Sequence, residues 1–139
     1  MDELQARIDN VEDFDETNCR GTALHFLNLN LTEKYYDTRE FDKKVKKHFT
    51  KIKTPLIGAL FVVRSNLFGD PNHAGVIVET EPEILVTDRE CWKGQIRKRI
   101  PIRDIISDYG LCHNIKYYVR KKQIENNTLP NYLPARLLM

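Results

Sequence analysis

The spacing of apolar positions changes along this chain, from a helical period in the first third to short unbroken apolar runs afterwards. Leu4, Ile8, Val11 and Phe14 recur at helical spacing among aspartates and glutamates, which predicts a short packing helix over Leu4 to Phe14. Thr17 to Leu27 (TNCRGTALHFL) offers Thr17 or Asn18 as a cap, and Ala23, Leu24, Phe26 and Leu27 supply an apolar helical surface. Cys19 would then occupy the first turn of a mostly buried helix. From Arg39 to Ile52, Phe41, Val45, Phe49 and Ile52 alternate with lysines, the pattern of an amphipathic helix lying on the surface.

Ile57 to Val63 (IGALFVV), His73 to Glu79 (HAGVIVE) and Ile84 to Thr87 (ILVT) are short β-branched runs separated by Asn, Gly, Asp and Pro. No helix fits between them, so an antiparallel meander is expected. Gln95 to Ile102 reads as a fourth strand, Pro101 to Tyr109 as a short helix, and Ile115 to Arg120 as a closing strand. Helices first and strands afterwards predict an α+β domain, with N-terminal helices packed on an antiparallel sheet of about five strands. The chain of 139 residues is read as one domain spanning 1–139, with its core at 15–120 and an irregular tail at 121–139.

Composition narrows this only a little. Hydrophobic residues make up 41% and charged residues 30%, a balance open to an enzyme or a binding module. The net charge of +2 does not by itself imply a polyanionic partner. Basic residues do cluster, in KKVKKHFTKIK at Lys43 to Lys53, RKRIPIR at Arg97 to Arg103 and RKK at Arg120 to Lys122. With no nucleic-acid motif beside them, they read as solvated faces, and a nucleic-acid partner is not expected. Cys19, Cys91 and Cys112 are an odd number without metal-ligand spacing, so neither a disulfide framework nor a zinc site is signalled and no cofactor is expected. The acidic N-terminal stretch lacks the features of a signal peptide, and no run approaches the roughly 20 apolar residues of a membrane span. A cytoplasmic chain is the expectation, with export by a leaderless route as the other possibility.

The candidate chemistry centres on Cys19. A thiol acts as a nucleophile in its thiolate form, which a helix N-terminus favours through its unpaired N–H groups and dipole. Gly21 leaves space for a substrate carbonyl beside it. The base must come from elsewhere in the chain. His73 follows the polar turn Phe68 to Asn72 and opens an apolar strand, so its ring is expected at the sheet edge, facing the Cys19 helix. His25, His48 and His113 read as structural or solvated. Asp88, at the end of the next strand, is the candidate to orient His73, with Thr87 and Glu90 as substitutes. A Cys in an apolar helix and a His at a strand start are also ordinary core residues, so residue types alone leave both readings open.

Three segments, Asn18 to Leu24 (NCRGTAL), Gly58 to Val63 (GALFVV) and His73 to Val78 (HAGVIV), together resemble the signature blocks of the NlpC-like papain-fold peptidases and amidases. The resemblance runs from Asp15 to Val119 in the family's order. It implies Cys19 as nucleophile, His73 as base and Asp88 as third residue. It also implies hydrolysis of an amide bond through a thioester, in a peptidoglycan stem peptide or a similar peptide or conjugate, with no metal. Ala59 stands where the family usually has an acidic residue, and Asn18 and Arg20 replace the commoner Asp and Ser around the Cys. Asn18 and Arg20 are therefore candidate substrate contacts. Trp92, in the loop Glu90 to Gly94, is a candidate for the site rim, beside its plainer reading as a packing residue. Two rivals stand next to the hydrolase: a papain-fold module used for binding, and a basic-patch binder of RNA or an acidic protein.

Overall fold

Capping chemistry sets the helix boundaries. In a computed structural model that describes residues 2–11, 17–29, 35–90 and 94–121, Asn18 Oδ1 accepts the Gly21 N–H at 2.9 Å and opens α2 (Cys19–Phe26). The helix ends because Asn28 takes a left-handed φ of 62°. The Asn28 N–H then reaches the His25 carbonyl and the Leu29 N–H the Leu24 carbonyl, the paired bonds of a Schellman stop. Asp37 caps α3 (Thr38–His48) by accepting the Glu40 N–H at 2.8 Å. Ahead of both lies α1 (Asp2–Asp9), whose Leu4 and Ile8 are buried, so the core begins earlier than residue 15.

The amphipathic helix expected over Arg39 to Ile52 stops at His48. Phe49 and Ile52, which the helical period counted on one face, belong instead to a strand, β1 (Phe49–Ile52). Period alone did not separate the two because Phe41, Val45 and Phe49 all pack inward. The remaining elements are β2 (Leu60–Ser65), β3 (Pro71–Glu79), β4 (Leu85–Arg89), β5 (Ile96–Pro101), α4 (Ile102–Tyr109) and β6 (His113–Arg120). The described residues therefore give an α+β fold with four helices and six strands, one more strand than the sequence predicts.

The sheet is antiparallel throughout, in the order β1-β6-β2-β3-β4-β5. β2 to β5 form the expected meander, and β6 returns to lie between β1 and β2. Alternate residues divide between two layers. Leu60, Val62, Ala74, Val76, Val78 and Tyr118 face α1, α2 and α3, whereas Phe61, Val63, Ile77, Val86 and Val119 face Ile105 of α4. The tail beyond Lys121 lies outside the described residues.

Candidate functional site

Antiparallel register brings two of the expected site residues together. Asp88 stands opposite Gly75, two positions along β3 from His73 and on the same face. His73 Nε2 and Asp88 Oδ2 are 2.5 Å apart, and both side chains are closed to solvent. The imidazole lies between two aromatic rings, stacked on Tyr109 at 5.4 Å and tilted against Phe61 at 6.0 Å. Gly75 makes this packing possible: a Cβ there would meet Phe61 ring carbons at 2.5 and 2.7 Å and the Asp88 Cβ at 2.8 Å.

Asp88 has a second partner that the sequence reading missed. Arg97 on β5 forks onto it, Nε to Oδ1 at 2.9 Å and Nη2 to Oδ2 at 2.6 Å, and extends through Nη1 to Asp108 at 3.3 Å. Burial by itself would raise the Asp88 carboxyl; the hydrogen bonds and charges of His73 and Arg97 outweigh it and hold the group below its ordinary value. Arg97 is likewise desolvated, yet its bonds to Asp88 keep it more firmly protonated than usual. The signal in the sequence was a basic residue in the strand after Asp88. It lay inside RKRIPIR and read as solvated surface, and the pairing of Asp88 with Arg97 in the β4–β5 register brings it to that carboxylate.

His113 also belongs here. It opens β6, its Nδ1 donates to the Tyr109 carbonyl at 2.8 Å, and Asn72 Nδ2 lies 3.0 Å from its Nε2. A carbonyl can only accept, so these bonds select the tautomer with hydrogen on Nδ1 and the Asn72 amide donating to Nε2. Tyr109, packed between the two imidazoles, joins this pair to His73.

Cys19 is the first residue of α2 and is buried, as the sequence predicts. The start of α2 meets the start of β3, where Arg20 Nη1 donates to the Pro71 carbonyl at 3.3 Å. The expected direction of the His73 ring is corrected, however. α2 packs on the face carrying Ala74, Val76 and Val78, and His73 projects from the other face toward Tyr109 of α4. β3 is also an inner strand and not a sheet edge.

Asn18 and Arg20 are engaged in structural bonds. Asn18 caps α2 and donates through Nδ2 to the Tyr36 carbonyl at 2.7 Å, and Arg20 Nε donates to the same carbonyl at 3.0 Å. Both therefore fasten the segment around Tyr36 to the helix start. Of the two substitutes for Asp88, Thr87 accepts the Arg99 N–H and Glu90 lies 4.0 Å from Arg97. Trp92 and Cys91 lie outside the described residues. Among the described residues no group of three or more His, Cys, Asp or Glu side chains is placed to hold a metal ion, and no helix is long and apolar enough to cross a membrane.

No family model, curated protein or solved structure matches this chain.

Proposed function

We propose that this protein is a cysteine hydrolase of papain-like type that cleaves an amide bond in a peptide, a peptidoglycan stem or a related conjugate. The observation that carries the reading is the buried His73–Asp88 pair at 2.5 Å, at the end of the sheet where α2 begins with Cys19. The carboxylate commits Nε2–H of the imidazole, so the base role falls to Nδ1. The reaction requires the His73 ring to reach Cys19 Sγ around the end of β3; Sγ would then attack the carbonyl carbon with its proton passing to His73. Collapse of the tetrahedral intermediate expels the amine, which takes that proton, and water then hydrolyses the thioester. Asp88 stabilises the imidazolium, and N–H groups at the start of α2 face the developing oxyanion.

A second reading is favoured by a specific observation: Cys19 and His73 are each only 1% exposed, and the His73 ring leaves the sheet on the face away from α2. On that reading the fold is a binding module, and His73, Asp88 and Arg97 form a structural cluster.

One experiment separates the two. With Cys91 and Cys112 replaced by Ser, alkylation of Cys19 by iodoacetamide is followed against pH, in the presence of His73 and in His73→Ala. Rapid labelling with a midpoint well under the ordinary thiol value of about 8.5, lost in His73→Ala, supports the hydrolase. Slow labelling indifferent to His73 removes it and leaves the binding module.

A further inference from the structure

Two turns meet at one end of the sheet. The Asn66 N–H donates to the Cys112 carbonyl at 2.8 Å and Asn66 Nδ2 to the Leu111 carbonyl at 3.0 Å, which ties the β2–β3 turn to the α4–β6 turn. From this joined base three large apolar side chains stand in solvent: Leu67 at 80%, Phe68 at 78% and Leu111 at 97% exposure. None of them serves the core. Exposure so near complete describes protruding tips rather than the lining of a cleft.

Next to these tips the surface is cationic. Phe68 rims a groove of about 480 Å³ between α3, β1 and the β2–β3 turn, with Val45 and Phe49 among its apolar lining and Lys46, Lys51 and Arg64 on its walls. Arg64 is matched by Asp42 at 2.8 Å, but Lys46 and Lys51 have no ion-pair partner among the described residues. The local field is positive beyond these two. His48 is held below its ordinary value by burial and then by Arg120, Lys47, Lys44 and Lys121.

We propose that this end of the molecule docks on a membrane surface containing anionic lipids. Leu67, Phe68 and Leu111 enter the interfacial region, and Lys46 and Lys51 receive the headgroups in the groove beside Phe68. Apolar side chains at a tip combined with unpaired lysines behind them match a surface that is apolar within and negative outside. A nucleic acid would use the lysines but gain little from two leucines that have no face for base stacking. An acidic peptide seated in the groove would meet Phe68 and the lysines but leave Leu67 and Leu111, which stand outside the groove, in solvent.

The test uses the full chain in sedimentation with phosphatidylserine–phosphatidylcholine vesicles and with phosphatidylcholine vesicles, at low and high salt. Expected is binding to the anionic vesicles that weakens with salt, and that falls about tenfold or more in Leu67→Ser/Phe68→Ser and in Lys46→Glu/Lys51→Glu. Both variants change exposed side chains, and an unchanged melting curve certifies their fold. No binding of the folded protein to anionic vesicles overturns the proposal. So does equal vesicle binding by Leu67→Ser/Phe68→Ser, which would reduce the effect to charge. Tighter binding to single-stranded RNA than to vesicles, unaffected in that variant, would assign the patch to nucleic acid and overturn it as well.

Discussion

His73 and Asp88 share one buried bond, Nε2 to Oδ2 at 2.5 Å, and the same carboxylate holds the Arg97 guanidinium by both of its oxygens. A buried carboxylate between two donors is stable only while both are satisfied. This cluster therefore responds to substitution and pH whatever chemistry it serves.

Asp88→Asn should cost about 3 kcal/mol at neutral pH, because an NH2 donor replaces one of the two acceptor oxygens shared by Arg97 and His73 and the buried negative charge facing Arg97 is lost. The pH dependence follows from the depressed Asp88 value. A carboxylate held below its unfolded value of about 3.9 gives stability that is fully present above that pH and is lost as pH falls through the folded value. Urea midpoints measured downward from neutral should fall more steeply below about pH 4 in the unmodified protein than in Asp88→Asn. Parallel curves would separate acid stability from this carboxylate.

Gly75→Ala places a methyl against Phe61 at 2.5 Å and against the Asp88 Cβ at 2.8 Å. Phe61 is fully buried and the Asp88 Cβ is fixed to its strand, so neither moves cheaply. A loss of about 1–3 kcal/mol is expected by chemical denaturation, with a change in Tyr109 and Phe61 side-chain signals by NMR. A neutral result would show that the ring shifts aside.

Asn18→Ala removes the α2 cap and the donor to the Tyr36 carbonyl together. The expected cost is about 1–2 kcal/mol. Asn18→Asp keeps the cap and loses only the amide donor, so it should recover part of that loss. If Asn18→Asp is as damaging as Asn18→Ala, the Tyr36 bond outweighs the cap.

α4 meets the sheet through Ile105, fully buried, while its neighbour Ile106 is 52% exposed. Ile105→Ala should destabilise by about 2–5 kcal/mol, with Ile106→Ala within about 0.5 kcal/mol of the parent. Similar losses from both would mean that α4 sits on the sheet in another rotation.

The sequence carried much of this fold in local chemistry. Asn18 as a cap, the helix start at Cys19 and the short apolar runs of β2, β3 and β4 depend on contacts within a few residues, so periodicity and cap preference expose them. The approach of Asp88 to His73 was legible for a similar reason: a short connection between antiparallel strands leaves few registers. The end of α3 was not. Helix α3 and strand β1 both turn apolar residues inward, and the boundary at Phe49 depends on pairing with Arg120, 71 positions later in the chain.

By itself the sequence determined that His73, Gly75 and Ile77 share one face of a strand and that Ala74, Val76 and Val78 share the other, since side chains alternate along a strand. Tertiary structure decided which face receives which helix. β3 is an inner strand, apolar on both sides, and such a pattern has no polar side to mark the exterior. α2 could have packed against either face. It packs on Ala74 and Val76, which leaves His73 to Tyr109 and to the Asp88 that Arg97 also holds, partners brought to it by strand pairing and by the path of α4 across the sheet.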